Sequence, residues 1–278
     1  MKPKWLLETD TFDKNIEEEI KEAVTSQGME YKVIDYVPFD GLVFDQYAPD
    51  DCVIAHGSLG MTQQCLRKTQ WVPGAWCNLK HFKCHHYYPR LNKYLLNDEY
   101  IILPYGELMR QKRFIYRTLG YDDCVFMRPD SGFKNFTGKV VYRGDYAKDI
   151  EFFGFYDVEP EELVIVAEPR RIDEEWRLVI VDKKVVTGSL YKYRGVPQLE
   201  SGCPDDVIEF ATKVAETWQP EKCWVLDVCR AINLRVVEIN SFSSSGLYAC
   251  DKFKVVEAVS KAAMDEWQEY HLDDKEEA

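Results

Sequence analysis

The sequence predicts a mixed α/β (α+β) protein, and three observations carry that reading. The chain opens on strand-like, helix-like and again strand-like segments, the order of an open α/β sheet. Two later stretches, Glu175 to Tyr191 and Trp224 to Asn240, read as β-hairpins, each a pair of apolar runs around a short turn. Elsewhere apolar residues recur at helical spacing.

Lys4 to Glu8 is the first strand signal, and Phe12 to Gln27 carries Ile16, Ile20, Ala23 and Val24 along one helical face before Gly28 stops it. Tyr31 to Val37 and Cys52 to His56 are the next strands. Gly57, Ser58 and Gly60 follow at a strand's carboxyl end, where α/β sheets place ligands; a plain glycine turn explains them equally well. Met61 to Lys68 reads as a short helix, whereas the aromatic-rich stretch Trp71 to Tyr100 has no clean period and is assigned no element.

Glu107 to Gly120 is an amphipathic helix with Leu108, Ile115 and Leu119 towards a core and Arg110, Lys112, Arg113 and Arg117 on a solvated face. Strand, glycine-containing loop and strand follow between Asp123 and Tyr142. In that loop, Asp130 to Gly138, two glycines and two hydroxyls can bring backbone N–H groups near phosphate oxygens, with Arg128 and Lys134 as countercharge; an ordinary hairpin turn reads the same way. Val164 to Glu168 is a buried strand. The hairpin from Glu175 turns at Asp182 to Lys184, Asp205 to Trp218 is a helix with an acidic first turn, and Lys254 to Tyr270 is a last helix before an acidic tail, His271 to Ala278, expected to fray.

Of the 278 residues 46% are hydrophobic and 14% aromatic, enough for one sizeable core or a few coupled subdomains. A net charge of −13 argues against bulk nucleic acid or an anionic membrane as partner, since both need basic surface. No stretch approaches the roughly 20 apolar residues that span a bilayer, and the first residues lack a signal-peptide core, so a cytoplasmic protein is expected. The nine cysteines are scattered and lie partly in apolar runs, as reduced core residues do. The cluster Cys77 to His86 has metal-compatible residue types but no zinc-site spacing, and a surface loop or helix explains it better.

The hairpin from Trp224 holds the sharpest chemistry. If its turn is centred between Ile232 and Asn233, Asp227 falls opposite Glu238, and Asn240 projects from the same face one step along. Opposed carboxylates roughly 5 Å apart at Cβ repel, so the pairing suits a sheet only with a hard divalent cation between them, and magnesium takes such oxygens while leaving positions for phosphate. A solvated acidic face is the competing explanation.

The order of the pieces, a strand Phe-Met-Arg-Pro with its loop, a strand ending Ala-Glu-Pro, the hairpin Glu-Trp-Arg-Leu-Val-Ile-Val, a helix, and a hairpin with D…E-x-N, resembles the ATP-grasp family. More narrowly it is similar to the branch, common in phages and bacteria, with arginine where most members have the first phosphate-binding lysine, here Arg128. The resemblance implies a small N-terminal α/β pre-ATP-grasp domain over 1–98 and an ATP-grasp domain over 99–278, with subdomains of about 99–166 and 167–270. It implies ATP and magnesium as cofactors: Asp227, Glu238 and Asn240 on the metal, Arg128, Lys134 and Arg177 on the phosphates or an acyl phosphate, and the Glu168 to Ile172 segment on adenine, sandwiched between those subdomains. Glu175 would accept from the ribose hydroxyls; a plain strand-end residue for Glu168, a salt-bridge partner for Glu175 and a structural ion pair for Arg177 are the competing explanations. Many members carry an arginine after the second hairpin strand; Tyr191 stands there, beside Lys192 and Arg194, which leaves the oxyanion stabiliser open.

The implied activity is an ADP-forming carboxylate–amine ligase, joining a small-molecule or peptide acid to an amine through an acyl phosphate, as a monomer or homodimer. A kinase-like phosphotransferase and a non-catalytic nucleotide-binding protein are the alternatives. No G-x-S-x-G, H-E-x-x-H or Walker loop suggests other chemistry. The loop Asp130 to Gly138 is expected to close over the phosphates as a lid.

Overall fold

The computed structural model describes residues 2–37, 43–130, 136–155 and 158–276, with side chains through 272. The loop residues Ser131 to Asn135, and with them Lys134 and the lid expectation, lie outside the described residues. The chain condenses into two compact units: Met1–Asn78 with Glu174–Val228 and Glu238–Ala278, and Leu79–Asp173 with Cys229–Val237.

In the first unit, β1 (Lys4–Glu8), β2 (Tyr31–Ile34), β3 (Cys52–His56) and β4 (Val72–Gly74) form a parallel sheet in the order β2-β1-β3-β4. Parallel neighbours need crossovers, and α1 (Lys14–Ser26) and α2 (Leu59–Lys68) supply helices between strands. Each starts on a side-chain cap: Asp13 accepts from the Asn15 amide and Ser58 from the Met61 amide. Ser58 and Gly57 therefore serve the turn. A Cβ on Gly57 would sit 2.5 Å from the Glu8 Cβ, so close packing requires the glycine.

A second sheet has the order β11-β10-β9-β12-β13, from β9 (Glu174–Val181), β10 (Lys184–Tyr193), β11 (Val196–Ser201), β12 (Cys223–Arg230) and β13 (Leu234–Ser241). The turns Asp182–Lys183 and Arg194–Gly195 both have positive φ at each residue, the geometry that matches the twist of two-residue hairpins. α6 (Asp205–Thr217) packs on β10, and α7 (Lys252–Glu276) packs on α1, β3, β4, β9 and β10. One core joins these pieces, with Trp5, Ile54, Trp76, Val179, Phe242 and Val256 among its members. The helix α7 runs to Glu276, past His271, where the acidic tail is expected to begin fraying.

In the second unit β5 (Tyr100–Pro104), β6 (Cys124–Pro129), β7 (Lys139–Tyr142) and β8 (Leu163–Ala167) form an antiparallel sheet in the order β5-β8-β6-β7. Leu108 and Ile115 of α4 (Leu108–Thr118) are buried against it, as their spacing indicated. The stretch without a period contains α3 (Cys84–Leu91), with Pro89 inside it, and edge-on contacts of Tyr88 with Tyr87 and Tyr100 at 5.0 and 4.8 Å. An unexpected helix, α5 (Tyr146–Gly154), closes the core, and its Phe153 stacks on Phe136 at 4.2 Å. None of the nine cysteines forms a disulfide, and eight are buried.

One strained feature lies beside α7. Glu221 accepts from the Asn78 amide at 2.9 Å, and Glu266 accepts from Trp76 Nε1 at 2.9 Å. Burial, reinforced by the Glu266 charge, pushes the Glu221 carboxyl up to about 8. An acid whose affinity for its proton rises on folding contributes stability fully below its ordinary range, and that contribution is lost as the pH climbs towards 8. The melting gap between Glu221→Gln and the parent should therefore widen in favour of the variant from pH 5 to pH 8.5; a gap that stays constant would mean Glu221 titrates normally.

Candidate active site

Strand β9 is buried on both faces, and it carries a charged residue into that setting: Arg177 is 8% exposed. An unpaired buried cation would be costly, and the sequence supplies its partner on the neighbouring β12. Arg177 Nε donates to Asp227 Oδ1 at 2.9 Å and Nη2 to Oδ2 at 2.7 Å, a bidentate fork, while Nη1 donates to the Gly246 carbonyl at 3.0 Å. Burial works against the guanidinium charge, and Asp227 more than offsets it, so the arginine stays charged.

Two tyrosines complete the wall. Tyr191 and Tyr248 stack at 5.1 Å and 15°, with the guanidinium carbon 4.8 Å from the Tyr248 ring centre and 5.9 Å from that of Tyr191. Tyr248 holds φ at +46°, a left-handed backbone that a bulky residue adopts at a cost. The Tyr191 hydroxyl donates to Glu175 Oε2 at 2.8 Å, and Lys192 Nζ lies 3.3 Å from Glu175 Oε1. Burial first, then the charges of Asp227 and Glu175, keep that hydroxyl protonated far above its ordinary range. Of the three residues considered for the oxyanion, Tyr191 and Lys192 are thus bound to Glu175, and Arg194 sits in the β10–β11 turn over the Tyr193 ring.

On β13, Glu238 and Asn240 project from one face, and Asn240 Nδ2 donates to Glu238 Oε1 at 3.1 Å. The Glu238 charge also bears on Arg177. Beyond Asn240 the serine-rich loop is tied down by its own hydroxyls. Ser241 Oγ donates to the Trp76 carbonyl at 2.8 Å, the Trp76 amide donates to Ser243 Oγ at 3.0 Å, and the Gly57 amide donates to the Ser243 carbonyl at 2.9 Å. His56, 2% exposed, lies 3.2 Å from the Ser245 carbonyl; burial drops it to about 4, so its neutral ring donates from Nε2. This loop positions Gly246 and Tyr248, which the sequence reading missed because nothing local marks them as partners of Arg177.

Among the described residues no three His, Cys, Asp or Glu side chains stand together to hold a metal. The set Asp227, Glu238 and Asn240 has two carboxylates and an amide, all hard oxygen donors of the kind magnesium takes. Each Asp227 oxygen accepts from Arg177, so the set fits the ion chemically if Asp227 serves both. The Cys77 to His86 stretch gathers no metal set either; its His85 instead pairs with Asp130 at 2.6 Å.

The second unit holds the other expected residues. Arg128, half-buried on β6, donates from Nη1 to the Val237 carbonyl at 3.3 Å. Glu168 pairs with Arg170 at 3.2 Å, and Arg170 reaches Asp98 at 3.3 Å. A depression of about 410 Å³ is lined by Glu168, Pro169, Arg170 and Arg171 together with the hairpin tip at Ile232. Ile172, partly buried, follows in the chain but does not line it.

Removing one partner from a buried ion pair leaves an uncompensated charge, whereas replacing both with apolar residues does not. Asp227→Ala should cost about 3–5 kcal/mol in urea unfolding, and Arg177→Met with Asp227→Leu should recover most of it. Equal losses in both variants would show that Asp227 has no special hold on Arg177.

In comparisons with solved structures, the chain is similar to the D-cycloserine synthetase DcsG, with 14% identity, a TM-score of 0.67, and 94% of this chain and 99% of that one covered. It is also similar to D-alanine–D-alanine ligase from Bacillus anthracis complexed with ATP, with 14% identity, a TM-score of 0.59, and 97% and 100% covered. A third is the ATP-grasp ligase PsnB complexed with precursor peptide PsnA2 and AMPPNP, with 13% identity, a TM-score of 0.58, and 94% and 97% covered; PsnB has also been solved with Mg and ADP. At these identities the likeness is one of fold, the α/β ATP-grasp fold. No curated protein gives a significant match. The model of the ATP-grasp domain, R2K clade family 2, matches residues 113–258, just over half of the chain, and the chain belongs to that family.

Proposed function

We propose that this protein is an ATP-dependent carboxylate–amine ligase that forms an amide or peptide bond through an acyl phosphate. The observation that supports the reading best is the cluster of buried Arg177 and Asp227 with half-buried Glu238 and Asn240 in a chain of the ATP-grasp family. Such chemistry needs charge neutralisation and positioning more than acid–base groups, and the cluster offers a fixed cation beside a hard-oxygen set.

Asp227, Glu238 and Asn240 would hold magnesium, which when bound neutralises phosphate charge. Arg128, with its planar fork, and Lys134 would hold the phosphates, Glu168 and Ile172 would border the adenine, and Glu175, oriented by the Tyr191 hydroxyl, would accept from the ribose. A carboxylate oxygen of the acid attacks the γ-phosphorus and ADP leaves. The amine nitrogen then attacks the acyl carbon, the C–N bond forms as the C–O bond to phosphate breaks, and the amine's protons pass to solvent. Arg177, its guanidinium carbon 4.8 Å from the Tyr248 ring centre, would meet the acyl phosphate with its fork held in place by Asp227 and the Gly246 carbonyl.

ADP release should require both an acid and an amine when the protein is incubated with ATP, magnesium and pooled amino acids or peptides. Release on addition of an alcohol with no amine would make it a phosphotransferase, and no release from a protein that binds ATP would make it a nucleotide-binding protein without catalysis.

A further inference from the structure

Strand β6 of the second unit has two different faces. Val125 and Met127 point into that unit's core, whereas Phe126 and Arg128, on the other face, are partly buried. The ladder with β8 runs one residue past the strand, because the Asp130 amide donates to the Leu163 carbonyl at 2.9 Å. Asp130 therefore keeps the parity of Arg128 and stands roughly 7 Å further along the same face.

Asp130, 5% exposed, receives the start of α3 there. Its carbonyl accepts from the Cys84 amide at 3.0 Å and its Oδ1 from the His85 amide at 2.7 Å, which satisfies two of the helix's first N–H groups. The other carboxylate oxygen has a different partner: Oδ2 lies 2.6 Å from His85 Nδ1. An ionised carboxylate only accepts, so Nδ1 carries the proton and the neutral ring keeps its lone pair on Nε2. Among the described residues nothing bonds to Nε2, and the His85 side chain is 43% exposed. A buried carboxylate that fixes the tautomer of a ring whose other nitrogen is open to solvent is the arrangement of an oriented base. Capping of α3 accounts for Oδ1 and not for the ring.

Resting on the ligase reading, in which Arg128 holds phosphate, we infer that His85 is the base that takes the proton from the amine substrate, with Asp130 as its positioning residue. The amine nitrogen attacks the acyl carbon, and the C–O bond to phosphate breaks with its electron pair leaving on phosphate. Nε2 takes the proton that the nitrogen sheds as the C–N bond forms, Asp130 stabilises the resulting imidazolium, and the half-exposed ring passes the proton to water. The need for such a base rises with the basicity of the amine: the adduct of a weakly basic amine such as hydroxylamine gives its proton to water readily, while that of glycinamide holds it more tightly.

The test incubates the full chain with ATP, magnesium and pooled amino acids and peptides as acids, once with glycinamide and once with hydroxylamine, and measures the amide and the hydroxamate by mass spectrometry. His85→Ala should lose about a hundredfold in amide formation, through kcat, and only a few-fold in hydroxamate formation. Added imidazole, which can enter the solvent-open place the ring vacates, should restore amide formation on the order of tenfold. Asp130→Asn should show the same split between the two amines, since its side-chain amide no longer dictates which ring nitrogen carries the proton. Equal losses with both amines, or no rescue by imidazole in a His85→Ala protein that melts with the parent, would reduce the pair to a structural cap of α3 and overturn the inference while the ligase reading stands. Neither product from the parent would sink the ligase reading, and the inference with it.

Discussion

A guanidinium placed in the middle of a fully buried strand must have a carboxylate, and the pairing of Arg177 with Asp227 sets much of what surrounds it. It fixes β9 beside β12 side chain to side chain, since a slip of one residue would turn Arg177 away from Asp227 and leave both charges in a dry interior. The third nitrogen of the fork draws in the Gly246 carbonyl, and with it the backbone that carries Tyr248 over the guanidinium face. Under the proposed function a magnesium ion would share Asp227 with Arg177, so two positive groups would meet on one carboxylate. That arrangement tolerates the ion best when the triphosphate's negative charge arrives with it, which couples metal and nucleotide binding electrostatically.

The loop from Ser241 to Gly246 answers to a second constraint. It is largely buried and irregular, so its polar groups cannot be left to water: the Gly57 amide and the neutral His56 ring donate to the Ser243 and Ser245 carbonyls, while the Ser241 and Ser243 hydroxyls bond to the carbonyl and amide of Trp76. The run of serines thus has a structural reason. The N-terminal sheet and the segments after its strands act as a mould for the loop that presents Gly246 and Tyr248.

Much of this was legible in the sequence wherever one face of an element is buried. The helices α1, α4 and α6 and the β9–β10 and β12–β13 hairpins announce themselves by period, because their apolar residues had to line up against a core. Strand β11 could not be read, since all six of its residues are exposed at a sheet edge and show no alternation. The helix α3 hides behind Pro89 and a run of tyrosines, and α5 is short. At the site, Arg177, Asp227, Glu238 and Asn240 were each singled out, but the partnership of Arg177 with Asp227 was not. Strand neighbours far apart in the chain leave no local mark, and neither does the stacking of Tyr191 on Tyr248.

The assignment of Asp227, Glu238 and Asn240 to a divalent cation bears most of the functional reading, and it can be observed without turnover. Manganese can stand in for magnesium at such an oxygen set, and its electron paramagnetic resonance distinguishes an ion held by protein and nucleotide together from one held by nucleotide alone. With a non-hydrolysable ATP analogue present, the parent protein should give the protein-held signal and Glu238→Gln, melting at the parent's temperature, should give only the nucleotide signal. An unchanged protein-held signal in the folded Glu238→Gln variant would contradict the metal assignment.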